Sequence, residues 1–326
     1  MAISTPFEEL PNILRSQNHS IGRSKEPLTA QHIQSNPHIL KSSSMRQHAV
    51  LSIENVPLWK ERLLHWAAAQ ERGIYLDSNG HQGDEKTEKG WECLAAGGVL
   101  QVLECPAGNA FDQLKSWQNN TKDWLFGYLS YDLKNETERL ESRHFNGIGL
   151  PDLGFFQPEL VAGIRDGNLE IFFIKGEFDT IFDYFKTFDI FVLKNKINSK
   201  SDNIELKPRI HKQKYLETVT RIREHIIEGD LYEMNFCQEF FAEKKNLDAV
   251  AVFERLNWIG RAPSSAFMRW GDRFLMSASP ERFLQKRGDR LVSQPIKGTR
   301  RRGATVDEDE HIRAELASNE KDRAEN

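Results

Sequence analysis

The chain has 326 residues, 39% of them hydrophobic and 28% charged, with a net charge of −4 at neutral pH. That is ordinary for a globular protein with a real core in two domains or one large one, and it lacks the basic excess that nucleic-acid binding needs, so affinity for an anion must come from a local site. No apolar run is long enough to span a bilayer, and the three scattered cysteines, Cys93, Cys105 and Cys237, fit a reducing cytoplasm better than a disulfide framework or a zinc pattern.

Residues 1–44 stand apart. From position 17 onward they are rich in Ser, His, Gln, Asn and Lys, with isolated Ile and Leu that follow no period, and they read as a disordered leader. There is neither an apolar secretion segment nor an Arg-rich amphipathic helix in this stretch. From Met45 to about position 200 the chain reads as a first half of strands with interspersed helices.

Leu58, Leu63, Leu64 and Ala67, with Trp66 among them, predict a helix over 56–69; a strand at 74–76 then runs into the turn cluster Asp77-Ser78-Asn79-Gly80. Gly97-Gly98 leads into a strand expected at 99–103, and 111–117 reads as a short helix. The aromatic run 124–133 reads as a buried strand placed there for packing, and 155–159 and 169–174 as further strands.

A polar connection at 194–207 opens the second half, which we take as 208–326. Leu216, Val219, Ile222, Ile226 and Ile227 predict a helix over 212–228, stopped by Gly229. Over 231–241 the residues alternate, with Tyr232, Met234, Phe236 and Phe240 on one face and Glu233, Asn235, Cys237 and Glu239 on the other, as expected of a strand. A helix follows over 246–258, then a hairpin of 266–270 and 274–278 about Gly271-Asp272.

A second hairpin joins 282–286 to 290–296 about Gly288-Asp289. Pairing about that turn delivers Glu281 and Lys297 to one rim, where residues directly opposite have Cβ atoms about 4.5–5.5 Å apart. Pro280, Pro295 and Gly298 are punctuation that an uninterrupted strand avoids, so the strands stop where these ionisable residues begin. Thr305 and Glu308 have the spacing of a capping box that opens a charged helix through Ile312 and Leu316.

Five short segments carry a resemblance. In order they are Gly229-Asp230-Leu231-Tyr232-Glu233-Met234-Asn235, Ala262-Pro263, Ser279-Pro280-Glu281, Pro295-Ile296-Lys297-Gly298-Thr299 and Lys321-Asp322-Arg323-Ala324-Glu325. Their order and spacing resemble the chorismate-utilising enzymes, which include anthranilate synthase component I, aminodeoxychorismate synthase component I, and isochorismate and salicylate synthases. Anthranilate synthases typically have alanine at the centre of the fourth segment, whereas Pro-Ile-Lys-Gly-Thr resembles the aminodeoxychorismate synthase branch, which serves 4-aminobenzoate and folate synthesis.

The resemblance implies an α+β fold of two antiparallel sheets packed face to face with helices outside. It also implies amination of chorismate at C4, with ammonia from a separate glutamine amidotransferase subunit, since no Cys, His and Glu arrangement suited to glutaminase chemistry is apparent here. Lys297 would be the covalent nucleophile and Glu281 the proton-transfer residue, with Glu233, Asn235, Ser279, Gly298 and Thr299 in contact with substrate and Glu325 a ligand to Mg²⁺. Most similar enzymes have glutamine where this chain has Glu233, and a carboxylate beside a dianion is repulsive unless protonated or paired. The likeness begins near Met45, where translation is expected to start, and runs to Asn326, short of where family members continue; an incomplete C-terminus, with open apolar surface, low stability and little or no turnover, is therefore expected. Anthranilate synthase component I and a non-catalytic truncated remnant are the alternative readings.

Overall fold

The computed structural model describes residues 46–81, 90–187, 204–243, 247–296 and 298–325. In chain order the first elements are β1 (Gln47–Ser52), α1 (Val56–Ala69), β2 (Arg72–Asp77), β3 (Cys93–Gly97), β4 (Gln101–Cys105), α2 (Ala110–Thr121), β5 (Phe126–Leu129) and a single helical turn, α3 (Lys134–Thr137). Then come β6 (Leu153–Gln157), β7 (Leu160–Arg165), β8 (Asn168–Phe173), α4 (Phe178–Thr187), β9 (Lys207–Pro208), α5 (Lys212–Glu228) and β10 (Phe240–Phe241). The last elements are α6 (Ala249–Gly260), β11 (Ser264–Trp270), β12 (Arg273–Ser279), β13 (Arg282–Arg287), β14 (Arg290–Gln294), α7 (Val306–Ser318) and α8 (Glu320–Glu325). They divide between two compact units, one within Met1–Ile190 and Val250–Asn326, the other within Phe191–Ala249.

The first unit is α+β. Its main sheet has seven antiparallel strands in the order β1-β8-β7-β3-β2-β11-β12, and a three-stranded antiparallel sheet has the order β4-β6-β5. Ile74, Leu94, Val161, Met268 and Trp270 of the large sheet and Phe126 and Phe156 of the small one share a single buried cluster, so the two sheets face each other across it. Helix α1 covers β2, β3 and β11. It starts where Asn55 Oδ1 accepts from the Leu58 amide at 3.1 Å, and it buries Trp59, Leu63, Leu64 and Trp66. A Cβ on Gly73 would lie 1.9 Å from the Ala67 carbonyl oxygen, so only glycine lets β2 begin directly beneath the helix it leaves.

One polar knot fixes β2 to the later part of the chain. Asp77 is buried, accepts from Lys60 Nζ at 2.6 Å and from the Tyr75 hydroxyl at 3.0 Å, and also receives the Asn79 amide at 2.8 Å. Asn79 Nδ2 in turn donates to Asn257 Oδ1 on α6 at 2.8 Å and to the Ala262 carbonyl at 2.7 Å. Burial pushes the neighbouring Cys93 thiol up to about 12 and the Tyr75 phenol upward as well, so both are neutral beside the Asp77–Lys60 pair. Thus β11 pairs with β2, with Phe267 opposite Tyr75, at a register the knot holds in place.

Several sequence expectations are met closely. The helix at 56–69, the helix at 212–228 stopped by Gly229, and both hairpins are present. Three are corrected. The segment 231–239 is irregular, and only Phe240 and Phe241 pair, with Pro208 and Lys207, so the alternation at 231–241 does not make a long strand. Gly97-Gly98 does not introduce a strand; it ends β3, a run of small buried residues that carries no period, and the next strand starts at Gln101. The aromatic run 124–133 contributes a strand only over Phe126–Leu129 and then tightens into a 3₁₀ turn at Tyr131–Leu133, leaving Leu129 exposed. The leader at 1–44 and most of the linker at 194–207 lie outside the described residues. Among the described residues no helix is long and apolar enough to cross a membrane.

Candidate active site

The candidate site grows from the C-terminal end of β12. Ser279 Oγ accepts from the Glu281 amide at 3.2 Å and donates to the Glu281 carbonyl at 3.1 Å, closing a tight corner over Pro280. That corner turns the chain out of the large sheet and into the β13–β14 hairpin, leaving Glu281 exposed. Within the hairpin Arg287 faces Arg290 and Arg282 faces Gln294, with a bulge between Arg282 and Gln285. The ladder therefore ends one residue from Glu281 on one strand and one residue from Pro295 on the other.

Pro295, Ile296 and Gly298 line a cleft of about 410 Å³ whose remaining wall is Leu316 and Ala317 of α7 and Asp322 and Arg323 of α8. Gly298 has φ 75°. A Cβ there would sit 2.7 Å from the Asp322 carboxyl carbon, so glycine is required twice over, by the left-handed backbone and by the close approach of Asp322. Asp322 is buried, and Arg300 clasps it: Nη2 donates to Asp322 Oδ2 at 2.9 Å while Nη1 donates to the Thr299 carbonyl at 3.0 Å. Asn319 Oδ1 caps α8 by accepting from the Asp322 amide at 3.0 Å.

The next two arginines are also engaged. Arg301 pairs with Glu308, and Arg302 reaches Asp309 with Nε at 2.8 Å and with Nη2. The Arg302 guanidinium, helped by the Gly303 amide, holds the Asp309 carboxyl down at about 2. The Ala304 amide, with Arg301, lowers Glu308. Thr305 Oγ1 accepts from the Glu308 amide at 3.2 Å, as the capping-box spacing predicts, but the Glu308 carboxylate reaches back to Ala304 at 2.7 Å. All three cations thus anchor the Pro295–Thr299 loop to the helices behind it.

Of the residues singled out by sequence, Gly298 and Thr299 are brought against Asp322 and Arg300, and Ser279 and Glu281 form the corner at the base of the hairpin. Glu233 and Asn235 belong to the other unit, where both are exposed in the irregular 231–239 segment. Lys297, and with it the expected approach of Lys297 to Glu281, lies outside the described residues, as does the Glu325 side chain. Arg300 and Asp322 were not selected by sequence reasoning. The signal was available, because Arg300 directly follows one motif and Asp322 sits inside another.

Against known proteins, the family described as chorismate binding enzyme matches residues 66–326. Anthranilate synthase component 1 3 of Haloarcula marismortui is 31% identical over 285 residues, covering 78% of this chain and 56% of that protein. Aminodeoxychorismate synthase component 1 of Klebsiella aerogenes is 39% identical over a shorter stretch of 115 residues, 35% of this chain and 25% of that one. Among the curated relatives that match over most of this chain, the chain spans about half of each one's length, 56% of the Haloarcula protein and 45% of anthranilate synthase component 1 of Thermus thermophilus. In structure, anthranilate synthase component I from Streptococcus pneumoniae superposes with a TM-score of 0.51 at 18% identity, covering 91% of this chain and 62% of that one. The menaquinone-specific isochorismate synthase MenF of Escherichia coli gives 0.52 at 10% identity, with 98% and 65% covered. At these identities the structures share the fold.

Proposed function

The chain belongs to the chorismate-binding enzymes, and from that premise we propose that it works as component I of an aminodeoxychorismate synthase, converting chorismate and ammonia to 4-amino-4-deoxychorismate and water. The observation that carries this reading is the place of Lys297 in the chain, between Ile296 and Gly298, both of which line the cleft. An uncharged lysine amine bonds to the chorismate ring as the C4 hydroxyl departs, Glu281 supplies the proton that makes the leaving group water, and ammonia then bonds at C4 as the lysine amine is released. One difficult displacement becomes two easier ones. Gly298 and Thr299 present their backbone to substrate on a loop that Arg300 and Asp322 hold still, and Ser279 fixes the corner that carries Glu281.

Glu325 is the residue we propose to hold Mg²⁺. Asp322 is already neutralised by Arg300, which leaves Glu325 as the hard carboxylate of that motif, and a partly hydrated Mg²⁺ needs only one or two protein carboxylates beside its substrate. Bound there, it would neutralise a substrate carboxylate. Ammonia comes from a partner glutamine amidotransferase in the cytoplasm, and the product leads to 4-aminobenzoate and folate.

The test is an assay of the purified protein with chorismate, Mg²⁺ and ammonium, products read by mass. Aminodeoxychorismate is expected, together with a covalent adduct that disappears in Lys297→Ala; normal amination without the lysine would refute the nucleophile. A second reading, anthranilate synthase component I, is favoured by the longer match to the Haloarcula protein, 285 residues against 115. Release of pyruvate with a fluorescent aromatic amine would establish it.

A further inference from the structure

On the far side of β2 from the cluster shared by the two sheets, α1 and α6 bring together three side chains that the proposed chemistry does not use. Glu61 and His65 are four residues apart on α1 and so share a face, and Glu254 projects from α6. The ligating atoms of all three lie within 4.8 Å of one another. The His65 side chain is only 4% exposed, and its Nε2 is sealed from solvent with no hydrogen-bond partner. It points at Glu254 Oε1 from 3.4 Å, too far and too poorly aligned for a good hydrogen bond.

A buried imidazole nitrogen left without a hydrogen bond is costly. A metal explains both the orphaned nitrogen and the spacing. Two ligands held about 2.0–2.1 Å from a tetrahedral ion stand roughly 3.4 Å apart along the tetrahedron's edge. Small rotations of the two partly exposed carboxylates close the remaining distance. The neighbouring cation on α1, Arg62, has its guanidinium over the Trp59 ring, 5.1 Å from the centroid.

We propose that Glu61, His65 and Glu254 form a binding site for a divalent transition metal of the zinc class, with water as the fourth ligand, that staples α1 to α6. One imidazole and two carboxylates are borderline-to-hard donors, which suit Zn²⁺ better than Cu⁺ or an iron–sulfur cluster. The staple sits one turn along α6 from Asn257, so it braces the same helix that closes the Asp77–Asn79 knot. It is independent of the chorismate chemistry and of the Mg²⁺ proposed at Glu325, and it stands or falls separately from them.

The experiment uses the full chain, stripped with a chelator and titrated with ZnCl₂ in a calorimeter, then with Co²⁺ followed by visible absorption. His225→Ala serves as the parent, since His225, Glu228 and Asp230 form a second, fully exposed group that also collects cations. The parent is expected to bind a single zinc ion, to melt at higher temperature with it, and to give the intense absorption of four-coordinate Co²⁺. Glu61→Gln and Glu254→Gln, at partly exposed positions, and His65→Gln, which keeps the side chain's bulk, should each weaken zinc binding about tenfold or more. Metal-free melts matching the parent show that these variants fold. Zinc affinity unchanged in both glutamate variants, or a parent with neither thermal stabilisation nor the cobalt band, overturns the staple.

Discussion

Gly298 and Asp309 show how much of the site depends on single atoms. Replacing Gly298 by alanine forces a Cβ into the Asp322 carboxylate and strains a left-handed backbone, at an expected cost of about 1–3 kcal/mol in urea denaturation and with a loss of chorismate turnover. If turnover is retained in Gly298→Ala, the loop is not held as described. Asp309 makes a prediction in pH. Its carboxyl falls from the ordinary 3.8 to about 2 in the folded protein, so its contribution to stability is present in full above the unfolded value and is lost as pH falls through about 2. The stability difference between wild type and Asp309→Asn should therefore be flat near neutrality, shrink below about pH 4 and vanish near pH 2, as read by denaturant midpoints across that range. A difference that grows in acid would exclude the Arg302 pairing as its source.

At the scale of elements, the Asp77 knot decides how β11 is set against β2. Removing the carboxylate in Asp77→Ala leaves Lys60 without its partner and frees Tyr75, Asn79 and Asn257 from their shared acceptor. Because Lys60 retains some access to water, we expect roughly 2–4 kcal/mol rather than the full cost of a deeply buried orphaned charge. Equilibrium urea unfolding measures it, and hydrogen exchange should show the loss of protection concentrated in β2, β11 and α6. An even loss across the sheet would mean that the knot adds stability without setting the register. The sequence marked Asp77 to Gly80 only as a turn, since a turn cluster looks the same whether or not its side chains reach elements nearly two hundred residues away.

For the whole molecule, the apolar surface is the most consequential feature. Phe283 is 88% exposed and Leu284 and Leu291 are 57% and 61% exposed on one hairpin, while β12 is the last strand of the described sheet. Such a surface is expected to associate. Phe283→Ser with Leu291→Ser should lower binding of a hydrophobic dye and reduce self-association by light scattering, with the melting temperature nearly unchanged because neither side chain is in the core. A large drop in melting temperature would instead place these side chains inside a packed interface.

Much of this was legible in the sequence because the information is local. Helix 56–69 follows from an apolar period and both hairpins from glycine turns, while five motifs in order were enough to point to chorismate chemistry and an α+β fold. Alternation misled at 231–241, since side chains of alternating polarity do not make a strand without a partner strand, and only Phe240 and Phe241 enter a ladder. The small residues of β3 carried no period, yet neighbours on both sides made them a central strand. What only the tertiary structure decided is which charges meet. Arg300 with Asp322, and Asp77 with Lys60 and Asn257, are pairings across distance in the chain, fixed because the buried carboxylate of each has little solvent to turn to and so selects its partner.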